Sequence, residues 1–164
     1  MTTRAIQDYY PDNYSHCYGC GRLNEHGLQI KSYEVGDETV ATFRPQPFHL
    51  AIPGYVYGGL IASLIDCHGT GTAAAAAQRA AGRELDSEPI ARFVTASLHV
   101  NYRRPTPIDA ELELRGRVRE QSSRKVIVDV TLSANGQLCA DGEVIAVRIP
   151  DDYPGKSIAT DERR

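Results

Sequence analysis

Asp66 is the one formally charged side chain between Pro45 and Gln78, and it follows the glycine pair Gly58-Gly59 by seven residues from Gly59. A carboxylate among apolar neighbours is costly to bury unless it is satisfied, and such a group tends to have a perturbed pKa. Two readings fit such a residue. It is either a structural carboxylate satisfied by backbone or by an arginine, or an acid–base or nucleophilic group in an active site. A second candidate constellation is Cys17-x-x-Cys20 flanked by His16 and His26. Those ligand types suit zinc, but the remaining spacing follows no familiar zinc pattern, and no metal is assigned. Cys67 and Cys139 read as buried apolar residues.

The elements that must position Asp66 can be read from periodicity. Tyr57 to Ala81 is predicted to be a helix, with Leu60, Ile61, Leu64 and Ile65 on one face. Gly59, Ala62, Ser63, Asp66 and Thr70 form a second, small-residue face that carries the acid. Both faces are only lightly polar, so the helix is expected to be buried nearly all round. Leu28 to Glu34 and Glu38 to Phe43 read as strands joined by a Val35-Gly36-Asp37 turn, and Pro45, Pro47, Pro53 and Gly54 force a loop before the helix. Four long strands follow: Phe93 to Tyr102, Ala110 to Arg119, Lys125 to Ser133 and Leu138 to Ile149, the last two joined by the hairpin signal Asn135-Gly136. One helix among antiparallel strands is an α+β layout, a curved sheet wrapped around a central helix.

A chain of 164 residues fits one domain, with 1–16 as an N-terminal extension on the surface and 151–164 as a mobile charged tail. A net charge of -3 gives no electrostatic reason to expect nucleic acid or an anionic membrane as partner. The basic residues from Arg103 to Lys125 still leave room for a local anionic ligand. Residues 55–77 are weakly charged, but Asp66, His68 and the glycines argue against a membrane span. The N-terminus carries no signal-type apolar core, and the expected location is cytoplasmic.

The motifs Cys17-Tyr-Gly-Cys-Gly21 with Asn24 and Gly27-Leu28, Gly58-Gly59 through Asp66, Thr95 through Asn101-Tyr-Arg-Arg-Pro105, and Asn135-Gly136 occur in a telling order. Over residues 17–149 the chain resembles the hotdog thioesterases of the PaaI-like, 4-hydroxybenzoyl-CoA thioesterase superfamily. The resemblance implies a hotdog fold and hydrolysis of an acyl-CoA thioester by a homodimer or dimer of dimers, with coenzyme A present only as part of the substrate. It also implies that a backbone N–H of Gly58-Gly59 polarises the carbonyl, that Asp66 is nucleophile or general base, and that Thr95 positions water or the carboxylate.

Two positions depart from the family pattern. Tyr57 stands where a histidine often precedes the glycines, and Ala51 where many members have asparagine; His49 or His68 is a candidate to take over a polar role. Tyr57 is itself a candidate catalytic residue through a hydroxyl hydrogen bond, and Tyr55, Leu60 and Ser63 are expected around the acyl site. Arg103, Arg104, Arg124 and Lys125 are candidates for the phosphates of coenzyme A, since guanidinium matches phosphate geometry. With about 1.5 Å of rise per residue, Asp66 lies roughly 10 Å beyond Gly59, so one carbonyl cannot readily touch both. A site shared across a twofold interface resolves this. Two other classes stay open: a non-catalytic acyl-CoA or small-ligand binding protein, and a hotdog hydratase or dehydratase. The last pairs its acid with a histidine five residues on, where this chain has Gly71.

Overall fold

Strict alternation in the third of the long strands sets the core. Val126, Val128, Val130 and Leu132 are all fully buried on one face, and their neighbours face outward. The computed structural model describes residues 3–153. Strands β1 (Ser32–Val35), β2 (Glu38–Phe43), β3 (Phe93–Tyr102), β4 (Leu112–Gln121), β5 (Lys125–Ala134) and β6 (Gln137–Arg148) form one antiparallel sheet in the order β1-β2-β4-β5-β6-β3. The helix α1 (Gly58–Ala80) packs into its concave face. This is the hotdog fold.

Burial on nearly every side explains the composition of α1. Ile61, Leu64, Ile65, His68, Thr72 and the alanines from Ala73 to Ala76 are all buried. Gly69 sits where a Cβ would lie 2.6 Å from Val144 Cγ2 on β6, so only glycine allows this approach. The polar groups on the sheet side satisfy one another. His68 Nδ1 bonds Ser32 Oγ at 2.9 Å, and its Nε2 meets Thr39 Oγ1 at 3.1 Å. Complete burial pushes the imidazole pKa down to about 4, so His68 is neutral and structural.

Three expectations about boundaries shift. The first strand starts at Ser32 rather than Leu28, because Gln29 takes a left-handed φ of 51° and breaks β geometry. Leu28 and Ile30 bond the cysteine loop instead, through Tyr18 O and Gly19 O. β4 runs two residues later than expected. The N-terminal extension is not merely superficial: in the first of its two short 3-10 turns Ile6 and Gln7 are buried, and Gln7 Oε1 accepts the Ser32 N–H at 2.8 Å. The expected tail falls largely in residues 154–164, outside the described residues. Among the described residues no helix is long and apolar enough to cross a membrane.

A glycine-to-alanine change inside a helix normally gains about 1 kcal/mol. At Gly69 the clash with Val144 reverses the sign. Gly69→Ala is expected to lower the urea unfolding free energy by about 1–3 kcal/mol. Combined with Val144→Ala, it costs less than the sum of the two single changes.

Candidate active site

Asp66 projects from the middle of α1 toward β3, where the Thr95 hydroxyl donates a short hydrogen bond to its Oδ1. Between Thr95 and Ser97 the register of β3 against β6 shifts, a bulge of the kind that re-aims a side chain beside a site. The carboxylate is half-buried. Desolvation raises its pKa, and the Thr95 bond pulls partly the other way. Among the described residues Asp66 has no ion-pair partner, so the arginine-satisfied structural reading loses its basis.

The glycine pair opens α1. Leu60 N and Ile61 N both turn back to Tyr57 O, at 3.1 and 3.4 Å. The N–H groups of Gly58 and Gly59 find no acceptor among the described residues. Two free donors at a helix start, supported by the helix dipole, suit a developing oxyanion. The Tyr57 ring lies over Gly59, where a Cβ would sit 2.3 Å from the ring. Tyr102 OH donates to Gly58 O at 2.7 Å and ties the far end of β3 to the helix start.

Two cavities flank these glycines. One of about 390 Å³ is walled by Phe48, His49, Tyr57, Gly59, Leu60 and Ser63. Ser63 Oγ bonds Gly59 O at 2.8 Å, which leaves it a lining role. His49 Nδ1 accepts the Gln46 N–H at 2.9 Å, and partial burial lowers the ring's pKa. Its neutral Nε2–H is therefore the histidine group available in the cavity, whereas His68 lies on the other side of the helix. The second cavity, about 340 Å³, is lined by Tyr55, Gly58, Tyr102, Arg103 and Arg104.

The four candidate phosphate residues are not one cluster within the chain. Arg103 pairs with Asp141 and Arg104 with Gln137, both beside Tyr102. Arg124 and Lys125 open β5, opposite Val147. Ala140, opposite Tyr102, and Val147, opposite Lys125, are seven residues or about 23 Å apart on β6. Arg115, Arg117 and Arg119 are spent on Glu38, Glu113, Glu143 and Asp129 across the outer face of the sheet.

Two features escaped the sequence. Tyr102 reads as wall or core, yet it binds the helix start. Cys67 reads as an apolar filler, yet its sulfur meets that of Cys17 at 3.8 Å. The Cys-x-x-Cys spacing advertised one half of that contact; nothing local advertised the other.

The sequence model of the thioesterase superfamily matches residues 53–140, a stretch that holds Gly58, Gly59, Asp66 and Thr95. The chain belongs to the thioesterase superfamily. A thioesterase superfamily protein from Shewanella loihica PV-4 is 51% identical and superposes with a TM-score of 0.65 over 85% of this chain and 98% of its own. The PaaI protein of E. coli, from the phenylacetic acid degradation operon, shares the fold at 17% identity and a TM-score of 0.61, over 75% of this chain and 81% of its own. Among curated relatives, mouse acyl-coenzyme A thioesterase THEM4 is 30% identical over 123 residues, 74% of this chain. This superfamily member spans 47% of that protein's length.

Removing the Thr95 hydroxyl deletes the contact that favours ionised Asp66. Thr95→Val is thus expected to raise the Asp66 pKa further, so that the carboxylate takes up its proton at a higher pH. A carboxyl-carbon NMR titration of both proteins reads the shift directly.

Proposed function

We propose that this protein hydrolyses acyl-CoA thioesters at a site shared between two copies of the chain. The observation that carries the reading is the placement of the two half-sites on one edge strand. β3 ends the sheet, with Val94, Leu98 and Tyr102 exposed along it. Asp66 sits by Thr95 near one end, and the free glycine N–H groups sit by Tyr102 near the other. An antiparallel pairing of β3 with its copy, with the twofold axis near Leu98 and His99, juxtaposes each Asp66 with the other chain's glycines. The same pairing carries Arg124 and Lys125 of one subunit toward Arg103 and Arg104 of the other, so that the pantetheine entrance gains phosphate-binding cations from both.

In this arrangement the Gly58 and Gly59 N–H groups take the thioester oxygen as charge develops on it. Asp66 either attacks the carbonyl carbon or draws a proton from an attacking water, and the thiol of coenzyme A departs. Thr95 keeps the carboxylate oriented. The cavity by Phe48, His49 and Leu60 receives the acyl group, and its mixed aromatic and aliphatic wall suits a compact acyl chain.

Thiol release from a panel of acyl-CoAs tests the activity. Asp66→Asn is expected to lower turnover by about 10²–10⁴-fold. Binding of acyl-CoA without release from any panel member would make the protein a ligand-binding module instead. Mixing tests the shared site. Asp66→Asn and Gly59→Val are each inactive alone; co-refolded in equal amounts, they regain about a quarter of wild-type activity, because half the dimers carry one intact site of two. A site contained within one chain would regain none.

A further inference from the structure

The loop Cys17 to Gly21 folds onto α1 so that the Sγ atoms of Cys17, Cys20 and Cys67 all lie within 4.8 Å of one another. Cys17 and Cys20 fall outside the stretch matched by the superfamily model, and the proposed hydrolysis uses none of the three. We propose that this trio is a binding site for a thiophilic d10 cation, Zn²⁺ foremost, held by three thiolates with its fourth position open beside Cys17.

The spacing is that of a coordination sphere. Zinc–sulfur bonds of about 2.3 Å at tetrahedral angles place neighbouring sulfurs about 3.8 Å apart. Cys17 Sγ and Cys67 Sγ are 3.8 Å apart.

The loop is also built before any ion arrives. Gly21 N bonds Cys17 O at 2.8 Å, Leu28 N bonds Tyr18 O at 2.8 Å, and Ile30 N bonds Gly19 O at 3.1 Å. At Gly19 a Cβ would sit 2.3 Å from Cys67 Sγ, so glycine at that point is what admits the third sulfur. Cys20 and Cys67 are buried while Cys17 is exposed, which leaves one side of the cluster open for an exogenous ligand.

Charge supplies the second observation. Three thiolates around a divalent ion leave one net negative charge. The Arg92 guanidinium acts electrostatically on Cys20 and stacks on Tyr10 and Tyr14, with its carbon 3.8 and 4.7 Å from the ring centres. Its Nε and Nη1 are buried and have no hydrogen-bond partner among the described residues. Arg92 itself is half-buried, and an anionic metal cluster would give its two buried nitrogens a counter-charge.

Cobalt reads the site without reference to hydrolysis. Reduced, metal-free protein held under anaerobic conditions is titrated with Co²⁺, then with Zn²⁺. One Co²⁺ per chain is expected, with a sulfur-to-cobalt charge-transfer band and the visible bands of a tetrahedral site, both erased by Zn²⁺. Cys67→Ala and Cys17→Ser are expected to lose the charge-transfer band or to weaken binding on the order of a hundredfold or more. Cys139→Ser, a buried thiol outside the cluster, keeps both. Cys17 is exposed, so its serine variant tests the site even if Cys67→Ala fails to fold; circular dichroism establishes the fold of each. Absence of the band in wild-type protein, or a band and stoichiometry unchanged in Cys17→Ser, overturns the proposal. So does a reduced protein whose three thiols react freely with a thiol reagent in excess Zn²⁺.

Discussion

Everything in this fold follows from enclosing one helix in one sheet. A helix that touches water along little of its length must be small where the sheet comes close and apolar where it does not. Any polar group it carries must find its partner inside the protein. The chain meets the first demand with Gly69, Gly71 and the alanine run, and the third with the cluster of His68, Ser32, Thr39 and Thr72. Asp66 meets the third demand in another way. Thr95 gives it a single side-chain donor among the described residues.

That difference separates structural polarity from chemical polarity on the same helix. His68 and Asp66 are two residues apart and point to different sides. One is locked by hydrogen bonds on both ring nitrogens and held neutral by burial. The other keeps spare acceptor capacity near the edge strand β3, which is what the role proposed for it requires. The free N–H groups at Gly58 and Gly59 show the same pattern of unmet capacity, placed where the sheet ends.

Periodicity made most of this legible. Period two in 126–132 and period 3.6 in 60–65 identify core strand and core helix, and a lone acid in an apolar stretch marks the site. Contacts that depend on distant parts of the chain were not legible. The left-handed turn at Gln29 follows from loop bonds to Tyr18 and Gly19, not from its own residue type. The pairing of Cys67 with a loop 50 positions earlier leaves no local trace. Nor does strand order, which alone decides that β3 rather than β5 lies at the edge. The placement of the arginines was not legible for a related reason: their crowding in sequence becomes two separate ends of the sheet in space.

The contact of Gly69 with Val144 fixes α1 against both rotation and sliding, since either motion would drive backbone into a β-branched side chain. Asp66 therefore behaves as an anvil set in the core. The larger cavity, which Asp66 does not line, is of another kind. Phe48, His49 and Leu50 stand on the loop between β2 and α1, and Phe48 is 79% exposed. The loop side chains of that cavity can thus change without disturbing the helix that carries the carboxylate.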